Sequence, residues 1–317
     1  MIHPVHLPPA AGPGDRVGVA ALSGPIDPRK LERGVETLRR LGFEPVLADN
    51  LASRHGFFAG TDAERLAAFH RLAADPDLPA ILFARGGHGV LRVLPGIDWD
   101  LLARRPRAYM GFSDLTPFLL EVVRRLRIAA FHGPMVAADL ARGQSPEEEA
   151  SFLDALAGRY PAEQPLSGWV RPPRPGSGTI AGPLLGGCLS LLTSTLGTPY
   201  FPDLAGALLF IEDVNEEPYR IDRLLTHLRL SDNLAGIAGM IAGHFDGLGS
   251  VRASGMEALP ESPDWGAVLA EGLEGFDWPI AMGLECGHFP PNRTLPLGIP
   301  ARLEEEGRRL VLGGLES

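Results

Sequence analysis

Lysine is all but missing from this sequence: of its 29 basic side chains only Lys30 is a lysine, and the other 28 are arginines. Mechanisms built on a lysine, such as a pyridoxal phosphate Schiff base or a P-loop, therefore rest on one residue. Lys30 lies in the run Asp27-Pro-Arg-Lys-Leu-Glu-Arg33, the expected first turn of a surface helix, with no glycine-rich loop before it. Lysine chemistry is excluded. Cysteine is scarce as well, and Cys188 and Cys286 are too far apart in sequence to match a metal spacing. They read as reduced thiols, and neither a metal nor a cofactor is expected. A basic excess is also lacking. With a net charge of −10 and no basic stripe, the chain gains nothing from releasing phosphate counterions, and nucleic acid is not an expected partner. The one long uncharged stretch, 176–202, is broken repeatedly by glycine and proline, so no membrane span is expected. The N-terminus has neither a charged region nor an apolar one of the secretory kind, which makes the cytoplasm the expected compartment.

What is present is an ordinary globular composition, 45% hydrophobic over 317 residues, enough for two domains of roughly 150 residues each. Short apolar runs without helical period, at Arg16–Leu22, Ala80–Ala84 and Ala108–Phe112, predict buried parallel strands. Between them lie amphipathic helices with start signals: Asp27-Pro28, then the capping box Thr61-Asp-Ala-Glu64. Repeated βα units of this length predict a doubly wound parallel sheet. Ser145-Pro-Glu-Glu-Glu149 opens another helix, and Arg171-Pro-Pro-Arg-Pro-Gly-Ser-Gly178 reads as a stiff connector. The expected fold class is thus α/β: an N-terminal Rossmann-like domain over 1–165, a Pro-rich linker over 166–178, and a smaller C-terminal α/β domain over 179–317. The second half should hold strands near 207–211, 237–242 and 279–284. It should end in a hairpin turning at Glu306-Gly307.

Ligands of open α/β sheets bind beyond the carboxyl ends of the strands, and three such loops carry unusual residues. Arg85-Gly-Gly-His-Gly89 can bring backbone N–H groups close to a ligand, as an oxyanion hole requires; an isolated Gly-Gly pair also suits a plain turn. In Gly111-Phe-Ser-Asp114 the serine sits on a tight strand-to-helix turn, where its hydroxyl projects above the sheet edge. It equally suits the N-cap of the helix starting at Leu115. Leu284-Glu-Cys-Gly-His288 offers a loop histidine as general base, although His88 and His132 are also at loop positions and compete with it. Cys286 reads as a small buried apolar residue. A serine–histidine pair needs an acid, and Glu212 at the end of Ala207–Ile211 is the best placed; local sequence does not choose among Glu212, Asp213, Glu216 and Glu217.

Together these loops resemble the LD-carboxypeptidase family of serine peptidases, which cleave murein tetrapeptides. The ordered pieces are Pro13-Gly-Asp-Arg-Val-Gly18, Ala84-Arg-Gly-Gly-His-Gly89, Gly111-Phe-Ser-Asp114, His132-Gly-Pro134, Gly182-Pro-Leu-Leu-Gly-Gly187, Leu196-Gly-Thr-Pro-Tyr200, Phe210-Ile-Glu-Asp213, Pro218-Tyr-Arg220, Gly287-His288 and Thr294-Leu-Pro-Leu-Gly298. The resemblance implies Ser113 as nucleophile, Glu212 as triad acid and His288 as general base. It implies an oxyanion hole from the backbone N–H of Asp114 and one in the Gly86-Gly87 turn, assigned to Gly87, with Gly86 beside it against the substrate. Arg85 suits a bidentate hold on a substrate carboxylate, and equally a salt bridge to the rim of the core. The resemblance also implies a site between the two domains, a murein peptide as substrate and a homodimer. Where the family usually carries Tyr and Asn, this chain has His88 and Cys188, and an altered pocket shape is expected. Two other readings stand beside this one. A microcin-immunity branch of the same architecture cleaves peptidyl or aminoacyl nucleotides and looks to carry a Trp-bearing insert before its Gly-Gly segment, where this chain offers only Trp169 near a short connector. A non-catalytic two-lobed binding protein would also use the glycine loops and Arg85.

Overall fold

A computed structural model describes residues 4–160, 162–246, 264–304 and 308–314. Strand β1 (Arg16–Ala20) is buried from Val17 onward, as a continuous apolar run dictates. Helix α1 (Pro28–Arg40) starts where Asp27 accepts hydrogen bonds from the N–H groups of Arg29 and Lys30. Then come β2 (Glu44–Leu47), α2 (Asp62–Ala74) and β3 (Ala80–Phe83), with the Thr61/Glu64 capping box formed in full. Short helices α3 (Val90–Val93) and α4 (Trp99–Arg104) lead to β4 (Ala108–Gly111), α5 (Thr116–Leu126) and β5 (Ala130–His132). A π-helical turn, Val136–Leu140, precedes α6 (Pro146–Leu156), which carries its own capping box from Ser145 and Glu148.

The second half runs β6 (Ala162–Pro165), β7 (Gly168–Arg171), β8 (Ile180–Cys188), α7 (Leu189–Thr193), β9 (Leu208–Val214), α8 (Pro218–Leu230) and β10 (Gly239–Asp246). It closes with α9 (Trp265–Gly272), β11 (Ile280–Met282), β12 (Leu295–Leu297), β13 (Pro300–Leu303) and β14 (Arg309–Leu312). One sheet has the order β12-β5-β4-β3-β1-β2, and the other β6-β14-β13-β8-β9-β10-β11-β7. Strands β2, β1, β3, β4 and β5 are mutually parallel, and β8, β9, β10 and β11 form a second parallel core. Strand order reverses between β1 and β3, so the crevice of the first sheet opens where the loops after those strands part.

Three boundaries differ from the sequence expectation. The stretch expected as a linker, 166–178, contains β7, an edge strand antiparallel to β11. Its Arg171 donates to the carbonyls of Ala270, Leu273 and Phe276, satisfying the open C-terminal end of α9. Residues 162–165, expected in the first domain, pair with β14 in the second sheet. Strand β12, expected in the second domain, crosses back to pair antiparallel with β5 and close the first sheet. Among the described residues the first sheet has six strands and the second eight. Strands β13 and β14 pair antiparallel as the predicted hairpin, while its turn at Glu306-Gly307 lies outside the described residues. The return of β12 matters most. It forces the segment after β11 across the cleft, so that a loop from the second half reaches the strand ends of the first.

One close contact sets the first half. Helix α1 lies on the π-helical turn at Gly34, where an added Cβ would stand 1.8 Å from the Val136 carbonyl oxygen. Gly34→Ala is expected to destabilise the protein by roughly 1–3 kcal/mol through overpacking. A urea titration checks this through a lower midpoint at unchanged slope.

Candidate active site

Ser113 follows β4 with φ of +62°, a left-handed conformation that costs a non-glycine residue on the order of 1–3 kcal/mol and marks a tight elbow. The turn permits this only because Gly86 stands opposite: a Cβ there would lie 2.9 Å from Ser113 Cβ and 3.1 Å from its Oγ. The hydroxyl makes no cap hydrogen bond to the helix that follows. Instead Ser113 Oγ lies 3.0 Å from His288 Nε2.

His288 arrives on the loop between β11 and β12, and its other ring nitrogen lies 2.7 Å from Glu212 Oε2 at the carboxyl end of β9. The same oxygen accepts from the backbone N–H of His288 at 3.3 Å. Gly287 (φ +83°) is what lets the loop come so near, since a Cβ would stand 2.3 Å from Glu212 Oε2. With Nδ1 donating to Glu212, Nε2 presents its lone pair to the Ser113 hydroxyl. Of the four carboxylates open in the sequence, only Glu212 points here. Asp213 turns to accept from the N–H groups of Ser190 (2.7 Å) and Val214 (2.9 Å), and Glu216 pairs with Arg220 at 3.6 Å.

Electrostatics separate the competing histidines. Burial disfavours charge on His288, but the hydrogen bond and charge of Glu212, with the charges of Asp213 and Asp139, outweigh it and raise its pKa above 6.5. His132 lies on β5, not on a loop, with neither ring nitrogen hydrogen-bonded. Burial pushes its pKa down to about 3, and the ring packs edge-on to Phe210 at 5.0 Å. It is a neutral spacer. His88 is exposed and packs against Phe58 at 5.7 Å. Both thiols are buried, which raises their pKa well above the ordinary value and leaves them poor nucleophiles.

The backbone donors lie around the serine. Asp114 is second in the short helical turn that starts at Ser113, where N–H groups have no acceptor in the preceding turn. Its carboxylate is taken up by the Val90 N–H at 2.9 Å, bracing this turn against the glycine loop. The Gly86 carbonyl accepts from Gly24 N–H at 3.1 Å, and in a trans peptide that turns the Gly87 N–H away from Gly24. Arg85 is exposed, donates to the Pro25 carbonyl at 2.9 Å and makes no ion pair among the described residues. Its guanidinium is free to meet a carboxylate. Sequence reasoning missed Arg65, which is fully buried and donates to the carbonyls of Leu22 and Gly89, so pinning the loops after β1 and β3 to one another. Only its place on the inward face of α2 hinted at this. No cluster able to hold a metal ion, and no helix long and apolar enough to cross a membrane, occurs among the described residues.

A hydroxyl, imidazole and carboxylate in line, with backbone N–H groups beside the hydroxyl, can carry out acyl transfer through a covalent intermediate. Two family models match the chain: the LD-carboxypeptidase N-terminal domain at residues 17–133 and the LD-carboxypeptidase C-terminal domain at 181–303. A probable murein peptide carboxypeptidase of Bacillus subtilis (strain 168) is 35% identical over 312 residues, covering 97% of this chain and 94% of that one. The microcin C7 self-immunity protein MccF of Escherichia coli is 29% identical over 345 residues, covering 98% and 96%. Among solved structures, the muramoyltetrapeptide carboxypeptidase of Oxalobacter formigenes superposes with a TM-score of 0.81 at 28% identity, over 95% of this chain and all of that one (100%).

Proposed function

The chain belongs to the LD-carboxypeptidase family, and from that premise we propose that it is a serine carboxypeptidase releasing terminal D-alanine from murein tetrapeptides. The observation that carries this reading is the relay from Ser113 Oγ through His288 to Glu212, at 3.0 and 2.7 Å. His288 takes the Ser113 proton as Oγ attacks the carbonyl that joins an L-centred stem residue to D-alanine. The N–H groups of Asp114 and Gly87 hold the developing oxyanion, each worth on the order of 3 kcal/mol in the transition state. His288 then protonates the departing amine, and water attacks the acyl-enzyme by the reverse route. Arg85 meets a substrate carboxylate, which lets an acidic protein bind an anionic peptide.

MccF suggests a second reading, cleavage of an aminoacyl or peptidyl nucleotide. Trp169, the one tryptophan of the region before β8, sits in β7 in register with Ala281, not in an insert reaching for a base. The two readings separate when the purified protein is given a murein tetrapeptide and an aminoacyl sulfamoyl adenosine side by side. Release of D-alanine with the nucleotide analogue left intact is expected; cleavage of the nucleotide alone would exchange the readings.

The base must be neutral to accept the serine proton. Because the environment of His288 raises its pKa, kcat/KM is expected to fall as pH drops through a midpoint above 6.5. A pH–rate profile with its acid limb at or below 6.5 would contradict this.

A further inference from the structure

The loop that carries His288 is held by groups that take no part in the relay. Asn292, fully buried, accepts the Gly287 N–H on Oδ1 at 2.7 Å and donates from Nδ2 to Asp139 Oδ1 at 3.2 Å. Its backbone N–H donates to Glu148 Oε1 at 2.6 Å. Asp139 belongs to the π-helical turn and Glu148 to the first turn of α6, so both anchors are in the first half of the chain, as is Ser113. Asp139 Oδ2 also accepts from Met135 N–H at 3.0 Å, and Arg142 bridges Asp139 and Glu148. We propose that Asn292 and Asp139 are positioning residues for His288, a buried strut that fixes the Gly287–His288 turn against Glu212 and adds a negative charge behind the imidazole.

The chemistry requires these residue types. The strut needs one acceptor for the Gly287 N–H and one donor for a carboxylate; the Asn292 amide supplies them from two separate atoms, Oδ1 and Nδ2, whereas an ionised Asp has no donor and a Leu has neither. The N–H is that of a glycine, the residue with the widest backbone freedom, directly before the catalytic ring. Unpinned, Gly287 has room to turn, and a displacement of about 1 Å at the base costs on the order of 100-fold in rate. The charged and titratable groups facing His288 are Glu212 and Asp213 from β9, Asp139 from the π-helical turn and neutral His132 from β5. Those facing Asp139 are Arg142 and Glu148. Burial raises the Asp139 pKa, and the Met135 N–H, the Asn292 amide and Arg142 act against that rise.

The proposal rests on His288 being the base, and its test has one arm without substrate. Histidine ring titrations by NMR, with the His288 signals identified by their loss in His288→Gln, are compared between the unaltered protein and Asp139→Asn. The expected midpoint for His288 in Asp139→Asn is lower than in the unaltered protein, since removing a nearby negative charge disfavours the imidazolium. In the second arm, Asn292→Ala lowers kcat for tetrapeptide hydrolysis by about 10–100-fold while KM stays within about threefold. A merely structural role would lower the melting temperature of both variants and leave the His288 midpoint where it was. An unchanged midpoint in folded Asp139→Asn overturns the proposal even if Asn292→Ala does not fold. Absence of tetrapeptide turnover by the unaltered protein overturns the functional reading instead and leaves the titration as the test of the strut.

Discussion

Ser113→Ala is expected to lower kcat for tetrapeptide hydrolysis by about 10⁴–10⁶-fold and to leave the fold intact. The loss is large because, in the proposed mechanism, the substitution removes the oxygen that attacks. The remaining oxyanion donors and substrate contacts then supply only residual catalysis over water. The fold survives because the hydroxyl has one hydrogen-bond partner, His288 Nε2, and no role in capping the helix after it. Alanine also tolerates φ of +62° no worse than serine does. Circular dichroism and a thermal melt establish that the variant is folded, and D-alanine release measures the loss. Activity within tenfold of the unaltered protein would mean that the nucleophile lies elsewhere.

Glu212→Gln is the second large effect, a fall in kcat of on the order of 10³–10⁴-fold at nearly constant shape. In the unaltered protein Glu212 Oε2 accepts from both the ring Nδ1 and the backbone N–H of His288. An amide cannot do the same work in either orientation. With its oxygen toward Nδ1, the geometry holds but the charge that stabilises the imidazolium is gone. With its NH₂ toward Nδ1, that nitrogen must become an acceptor. The proton moves to Nε2, and the ring then donates to Ser113 instead of accepting from it. The sign of the titration follows as well. Once the Glu212 charge is lost, burial is the larger influence on His288, and its pKa falls below that of the unaltered protein. A variant with full kcat would show that Glu212 only packs the loop.

Much of this arrangement can be read from the residues, and the parts that cannot share a cause. Continuous apolar runs predict β1, β3 and β4 because strands covered on both faces need no polar alternation, and the capping boxes at Thr61 and Ser145 give the starts of α2 and α6. The serine on its elbow, the Gly-Gly turn and the loop histidine stand out through local composition. What local composition does not carry is pairing between distant segments. Strand β7 hides in a proline-rich stretch because its partner β11 lies more than a hundred residues away, and β12 looks like part of the second domain until it pairs with β5. Local sequence does not single out Glu212 among its three acidic neighbours, since strand direction and the approach of Gly287 decide it in space. Arg65 and Asn292 were silent for the same reason. Each is an ordinary polar residue whose partners, Leu22 and Gly89 in one case and Asp139 and Gly287 in the other, are set by the fold.

With a serine–lysine dyad out of reach, a serine hydrolase here needs a histidine, and among the described residues only His288 stands beside a serine hydroxyl and a buried carboxylate together. The most direct measurement of that claim is covalent: incubation with a fluorophosphonate, then intact mass and peptide mapping. The account predicts one adduct per chain, on Ser113, forming more slowly as pH falls through the His288 midpoint and not forming in His288→Ala. A folded, unaltered protein that takes up no label, or takes it up at another residue, would contradict it.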